Sequence, residues 1–448
     1  MEKYRFSKYN HFLKKKNKVV GINLFNRQFF AIDRQTYDLL LSYKSDLNQL
    51  QIDDPVLFST MYKLGIIEDI GTDIPKILLM RNRCHVFSES NYRLFIIPTL
   101  NCNFSCWYCY ETHPKKKMNR RVMENTIKHI DNIATKSKIT QLHIDWFGGE
   151  PLLCYKTVLK PIAIATKEIC INNKKDFFMT MTTNGFLIRP EMMPFFEDCN
   201  FRNFQITLDG YKDSHNRTRF SKNPDDNSYD TIVKNICLLA NLPNVNVTLR
   251  INYTKEIISD CIHIIDSFPE VLRRKILISL VQVWQDQDTH SNDIIGKKNM
   301  LRQQIELQKT FKKAGFKIVN SNFENELSYT CYADLNNEAI INYDGRIFKC
   351  TAIDFEKEKE DGFLNDNGEI IWDENLLAKR IAKSTFDNEK CFKCELVPIC
   401  TGKCSTNTFI RTRMDTKCIL KNSIKKRLYD KMNLFYKQDN KLCHISRI

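Results

Sequence analysis

From residue 93 the chain alternates short apolar runs with longer stretches in which apolar residues return every three or four positions. The runs are RLFIIPT (93–99), QLHIDWF (141–147), FFMTMTT (177–183), NFQITLD (203–209), VNVTLRIN (245–252) and ILISLVQVW (276–284). Between them MENTIKHIDNIA, LKPIAIATKEICIN and YDTIVKNICLLANL carry helical spacing. A parallel connection needs a crossover long enough to hold a helix, so this alternation predicts a parallel sheet. The predicted class is α/β: a partial (β/α)6 barrel of TIM type over residues 93–315, two units short of closure.

The flanks follow other patterns. KVVGINLF and QFFAID read as strands, and RQTYDLLLSY and DPVLFSTMYKLG as amphipathic helices, the second ending on Gly65. Two strands then two helices predict a winged-helix-like module over 1–75, and 76–92 reads as a linker. Residues 325–420 are irregular and cysteine-dense, and 421–448 predict a basic helical tail.

Composition changes this picture in two places. The 448 residues hold 17 cysteines. The opening MEKYRFSKYN lacks an apolar signal core, so those thiols are expected in a cytoplasmic, reducing setting, where clustered cysteine means metal or catalysis rather than disulfides. No apolar run reaches membrane-spanning length, so no membrane partner is expected. The net charge of +15 lies in runs such as LKKKNKVV, HPKKKMNRR and KNSIKKRLYDK. It is read as solvated surface. A face for an acidic peptide or a nucleic acid stays open on charge alone, although no nucleic-acid-binding pattern accompanies it.

Chemistry in TIM-type folds sits at the carboxyl ends of the strands. There the sequence places Cys102, Cys106 and Cys109 after the first strand, Gly148-Gly149-Glu150-Pro151 after the second, Asn184-Gly185 after the third and Asp209-Gly210 after the fourth. Three thiolates in a Cx3Cx2C loop serve three irons of a four-iron cubane and leave the fourth iron open to a chelating ligand. The alternative is zinc, which closes tetrahedrally and pairs its cysteines in Cx2–4C knuckles.

CNFSCWYC together with GGEP resembles the radical S-adenosylmethionine (SAM) enzymes. The resemblance implies a [4Fe–4S] cluster on Cys102, Cys106 and Cys109, with SAM chelating the open iron and cleaved to a 5′-deoxyadenosyl radical. It also implies roles at the SAM site. Tyr108 would lie near the adenine, and Gly148, Gly149, Glu150 and Pro151 would receive the methionine amino group. Thr207 and Asp209 would stand near SAM, and Arg219 of HNRTR would face its carboxylate. His113 and His215 read as loop hydrogen-bonders; of the seven remaining cysteines several lie in helical apolar runs and read as small buried hydrophobes, and none is assigned a function.

The C-terminal cysteines resemble the SPASM extension of that family, which holds two auxiliary clusters. By that resemblance Cys391, Cys394, Cys400 and Cys418 close one [4Fe–4S] cluster. Cys331, Cys350 and Cys404 hold the other, leaving it one thiolate short, since Asn337 stands where some relatives carry an eighth cysteine. In the sulfatase-maturing branch an aspartate follows the second auxiliary cysteine; here Thr351 does, and Asp354 is the substitute base.

The N-terminal module resembles leader-recognition domains, which bind a precursor peptide as an added strand. The implied function is a maturase that installs a thioether or carbon–carbon crosslink in a ribosomally made precursor, fed by a ferredoxin- or flavodoxin-type donor. Side-chain oxidation, peptide-derived cofactor synthesis, and a zinc-stapled nucleic-acid-binding protein are the alternatives.

Overall fold

The computed structural model describes residues 3–222, 227–283, 294–319, 331–381, 388–400, 402, 406, 418, 420–437 and 444–445. The chain divides into two compact units. The first takes Met1–Phe87, Ser321–Asn336 and Ala378–Ile448; the second takes Ser88–Asn320 and Asn337–Leu377.

The first unit opens with β1 (Tyr4–Phe6), β2 (Asn10–Lys14), β3 (Lys18–Asn23) and β4 (Gln28–Asp33). Helices follow at Arg34–Ser42, Leu47–Asp53 and Pro55–Lys63, and then β5 (Ile67–Asp69). Asp33, Asp46 and Asp54 start the three helices, each side chain accepting a backbone N–H three residues on. β2, β3 and β4 form an antiparallel meander, and β1 pairs with β5. The sequence pattern shows β3, β4 and two of the helices. It misses the short β1 and β5, the polar β2 and the helix at 47–53.

Strand alternation sends Val19, Phe30 and Ile32 toward these helices, where they pack with Tyr37, Leu40, Leu57 and Met61. Gly21 stands opposite Phe30, whose ring lies where a Cβ at 21 would be, 2.1 Å from its nearest atom. Val20, Ile22 and Leu24 point the other way, into a second core with Ile74, Leu78, Leu396, Val397, Ile424, Leu428 and Met432. Two segments expected to be peripheral therefore belong to that core. The expected linker carries the helix Ile74–Val86, and the expected tail carries the helix Leu420–Lys437.

The second unit is built on one eleven-stranded sheet. Its strands are β6 (Asn91–Ile96), β7 (Gln141–Trp146), β8 (Asp176–Thr183), β9 (Phe201–Leu208), β10 (Asn246–Tyr253), β11 (Ile276–Gln282), β12 (Lys317–Ile318), β13 (Glu338–Ile341), β14 (Arg346–Phe348), β15 (Gly362–Leu364) and β16 (Ile370–Trp372). Their order is β12-β11-β10-β9-β8-β7-β6-β13-β14-β15-β16. The six predicted strands are β6–β11, all parallel in sequence order. The three predicted crossovers are helices at Arg120–Ala134, Lys160–Asn172 and Ser228–Asn241.

The sequence pattern does not show that β13 adds parallel to β6, so a piece of the cysteine-dense region extends the main sheet. Glu338–Ile341 is buried at all four positions and has no alternation to reveal it.

One more strand belongs to the first unit. β17 (His444–Ile445) adds to β4 in parallel, His444 beside Ala31 and Ile445 beside Ile32.

Candidate active site

The cysteine loop leaves the carboxyl end of β6 and is gripped from two sides. On one side lies the turn after β7. Gly148 has φ +117°, and a Cβ there would stand 2.5 Å from the Thr99 carbonyl. A Cβ on Gly149 would stand 2.3 Å from the Leu100 carbonyl and 2.4 Å from that of Asn101. Two glycines are needed because backbone packs directly on backbone. The Gly149 N–H donates to Thr99 O (3.2 Å) and the Glu150 N–H to Asn101 O (2.9 Å). On the other side lies Phe220–Lys222. The Ser105 N–H donates to Phe220 O (3.1 Å), the Lys222 N–H donates to Asn103 O (3.0 Å), and Lys222 Nζ donates to the Cys102 carbonyl.

The thiols are themselves contacted. The Phe104 N–H points at Cys102 Sγ (3.4 Å), and Asn184 Nδ2 lies 3.9 Å from the same sulfur while donating to Asn103 Oδ1 (2.8 Å). His113 bridges Cys109 Sγ (3.2 Å) and Leu100 O (2.7 Å). Burial pushes all three thiols up, Cys102 to about 12. A thiolate here therefore needs a bound cation, and three soft ligands on one loop suit iron–sulfur ligation.

Glu150 is fully buried. One oxygen accepts from the Leu152 N–H (3.0 Å) and Thr183 Oγ1 (2.8 Å); the other accepts from Thr183 Oγ1 (2.9 Å) and the Asn184 N–H (2.8 Å). Burial raises its pKa against those donors. The carboxylate thus fastens the β7 turn to the end of β8, and Pro151 starts the helical turn Pro151–Cys154 behind it.

A second polar cluster sits at the ends of β9 and β10. Tyr108 donates to Asp209 Oδ2, and its oxygen accepts from Arg219 Nη1 (2.7 Å) and Asn252 Nδ2 (3.0 Å). Arg219 Nη1 is 4.0 Å from Asp209 Oδ2. Burial works against the guanidinium charge, but Cys106, Tyr108 and Asp209 outweigh it and hold the Arg219 pKa well above its usual value. Burial raises Asp209. The Asp209 N–H donates to His215 Nδ1 (3.1 Å), which places the ring proton on Nε2, and burial keeps the ring neutral. Three buried atoms here have no protein partner among the described residues: Asp209 Oδ1, Arg219 Nε and His215 Nε2. One open acceptor and two open donors suit a ligand carrying both polarities, as the amino acid and ribose of SAM do. Thr207 is buried on β9, in register with Arg250 of β10.

The structure therefore sets Tyr108, Gly148, Gly149, Glu150, Pro151, Asp209 and Arg219 about the cysteine loop, while Thr207, buried one strand position before Leu208 at the end of β9, has no hydrogen bond to it among the described residues. It adds Asn184, Asn252 and Lys222. Only Asn184 had a signal, its Asn-Gly turn; the other two are lone polar residues whose role appears with the strand register.

Asp354 lies beside the same loop. It accepts from Thr112 Oγ1 (2.7 Å) and pairs with Lys357 (3.0 Å), and Tyr110 donates to Thr351 O (2.9 Å). Burial opposes the Asp354 charge, but those two partners hold its pKa below the usual value. Cys350 is buried in the second unit, and Cys331 belongs to the first. Cys391, Cys394 and Cys400 follow one another through tight turns in the first unit, and the Cys400 thiol, raised first by burial, is raised further by Cys391, Cys418 and Cys394. Cys404 lies outside the described residues.

Residues 96–267 match the family model of the radical SAM superfamily. The chain is 22% identical over 333 residues to the radical SAM cyclopropyl synthase TigE of Paramaledivibacter caminithermalis, covering 69% of this chain and 66% of that one. It is 22% identical over 330 residues to the cysteine-type anaerobic sulfatase-maturating enzyme of Clostridium novyi, covering 68% and 86%. Its fold is similar to Streptococcus suis SuiB bound to the precursor peptide SuiA, with TM-score 0.50, 16% identity, and coverage of 90% of this chain and 96% of that one.

Proposed function

We propose, taking the radical SAM domain of residues 96–267 as the premise, that this enzyme modifies a ribosomally made precursor peptide by installing a thioether or carbon–carbon crosslink. The observation that carries the reading is the meeting, at the carboxyl end of one parallel sheet, of three thiols graded from the buried Cys102 to the exposed Cys109, a glycine turn and the Tyr108–Asp209–Arg219 cluster. A [4Fe–4S] cluster on Cys102, Cys106 and Cys109, with SAM bound, supplies a 5′-deoxyadenosyl radical that removes a substrate hydrogen. The protein's own part is positional. Glu150 locks two strand ends, Arg219 and Asp209 offer opposite charges in a dry site, and Lys222 fixes the loop backbone.

The auxiliary cysteines extend this reading. Cys391, Cys394, Cys400 and Cys418 are assigned to one [4Fe–4S] cluster and Cys331, Cys350 and Cys404 to another, as acceptors of the electron released when the crosslink forms. Asp354 is too well held by Thr112 and Lys357 to serve as a strong base. A ferredoxin- or flavodoxin-type protein is assigned as donor, and the cytoplasm as location. No helix among the described residues is long and apolar enough to cross a membrane.

The relatives support both peptide modification and a second reading, oxidation of a protein side chain. The sulfatase-maturating relative, matched over 86% of its length, favours the second; Thr351 directly after Cys350 disfavours it. The test is anaerobic co-expression with a short peptide encoded beside the gene, read by mass spectrometry. Loss of two hydrogens with fragmentation blocked between two residues supports a crosslink. Loss of two hydrogens with unrestricted fragmentation supports oxidation. SAM left uncleaved by reduced protein overturns both.

A further inference from the structure

Three arginines serve the face of the large sheet that carries the Tyr108 cluster, and two of them have a carboxylate. Arg93 on β6 lies 2.6 Å from Asp145 Oδ2, and Arg219 lies 4.0 Å from Asp209 Oδ2. The third, Arg250 on β10, has no carboxylate within ion-pair distance among the described residues. Its hydrogen bond there runs from Nε to Asn252 Oδ1 (2.8 Å). Residues two apart on a strand share a face, and Asn252 in turn donates from Nδ2 to Tyr108 (3.0 Å). The bond to Asn252 therefore carries the guanidinium toward the carboxyl end of the sheet and uses one of its five N–H groups. Its two amino groups bond to no described residue, and the side chain is only partly buried. Thr207 of β9 and Ser279 of β11, both short hydroxyls, flank it in register. Two positions earlier on β10, Thr248 Oγ1 is already committed to Asn203 Oδ1 (3.0 Å). The charge of Arg250 reaches the site: burial raises the Asp209 pKa, and Arg219 and then Arg250 are the cations that oppose the rise.

From this geometry we propose that Arg250 determines substrate specificity: its open guanidinium edge receives a carboxylate of the substrate beside the Tyr108 cluster. Assigning that carboxylate to a peptide rests on the function proposed above; the open guanidinium does not. A guanidinium edge presents two parallel N–H groups that match the two oxygens of a carboxylate, so the pair is directional as well as charged. With Nε held by Asn252 the fork cannot turn away, and a carboxylate seated on it is fixed relative to Tyr108. A partly buried cation without a counter-ion is costly, and an anionic ligand removes that cost. An amide of the same shape offers one acceptor and sets its own N–H groups against those of the arginine. Lysine or arginine at the same place is repelled outright. The residue modified, or its immediate neighbour, should therefore carry a carboxylate, either on an acidic side chain or at the peptide's C-terminus.

The test uses the full chain, anaerobically reconstituted and saturated with SAM, and three small probes. N-acetylglutamate α-amide carries a side-chain carboxylate, N-acetylglutamine a terminal one, and N-acetylglutamine amide neither. In ligand-observed NMR titrations one of the two carboxylates should bind roughly tenfold more tightly than the uncharged probe, and the tighter of the two assigns the source. Arg250→Gln should remove that preference. Arg250→Lys, which keeps the charge without the fork, should retain about a third of it. SAM affinity of both variants, by equilibrium dialysis, should stay within roughly threefold of the native chain, since the assigned ligand is the substrate. Equal binding of the three probes, or a preference that survives Arg250→Gln, overturns the inference. So does a larger loss of SAM affinity with native circular dichroism, which would make the guanidinium a SAM contact. A chain that passes this test yet leaves every co-expressed peptide unmodified would remove the peptide assignment and keep the carboxylate site.

Discussion

The protein carries two cysteine loops held in different proportions by polar and apolar contacts. Residues 99–109 are fixed by polar contacts: backbone pairs from Thr99 and Asn101 to 149–150 and from Asn103 and Ser105 to 220–222, and the Tyr108–Asp209–Arg219–Asn252 cluster, with the buried Glu150 carboxylate fastening the neighbouring turn. Residues 391–400 rest on apolar packing, with Leu396 and Val397 buried beside Val20, Ile22, Leu428 and Met432. Hydrogen bonds are directional and fix atoms, whereas apolar contacts fix a region and tolerate small shifts. Under the function proposed above, the first loop would be held for position at a reacting centre and the second to keep a cluster in place for electron transfer.

Substitutions should break this contrast in a definite order. Cys102→Ala should abolish 5′-deoxyadenosine formation entirely and lower iron and sulfide content, while the 391–400 loop keeps its metal; retention of cleavage would contradict the assignment. Glu150→Ala leaves the Leu152 and Asn184 N–H groups and the Thr183 hydroxyl buried without an acceptor. It should cost about 4 kcal/mol in denaturant melts and cut SAM cleavage by about a hundredfold. Leu428→Ala opens a cavity beneath the other loop. A loss of about 3 kcal/mol is expected in melts, with iron lost from 391–400 and SAM cleavage kept.

The smallest effect concerns pH. His129 is buried between Tyr92 OH (2.8 Å) and Gly368 O (2.8 Å), and burial lowers its pKa to about 4. The unfolded chain therefore takes up this proton first. Stability is full above the unfolded pKa near 6.5 and is lost on acidification toward 4, by about 2 kcal/mol between pH 7 and pH 5. His129→Gln should flatten that slope, as read by chemical denaturation at several pH values.

Much of the second unit was legible because strands β6–β11 announce themselves by short apolar runs separated by helical spacing. The Cx3Cx2C loop and the glycine turn stood out in the sequence because few other roles demand those residues at that spacing, and the structure sets the two side by side. Asn252 and Lys222 were not: one polar residue at a strand end or in a turn is ordinary, and only the parallel register brings them to Tyr108 and Cys102. The helix Leu420–Lys437 read as a tail because its charged face dominates the sequence. Its apolar stripe, Ile424, Leu428 and Met432, gains meaning only beside Val20 and Ile22. For the same reason a chain lacking residues 1–75 would strip the support from Leu396 and Val397, and its inactivity would not bear on leader binding.

The core that joins Val20, Ile22 and Leu24 to Ile424, Leu428 and Met432 also sets a schedule for the chain's birth. Val20, Ile22 and Leu24 leave the ribosome early, yet the residues that cover them, through Met432, emerge about 400 positions later. At cellular synthesis rates that is roughly 20–80 s during which one greasy side of a three-stranded ribbon is covered by the helix Ile74–Val86 alone. Nascent chains of this protein are thus natural clients for chaperones, and messages cut short near their 3′ end should yield products that aggregate or are degraded even though every strand of the large sheet has been made.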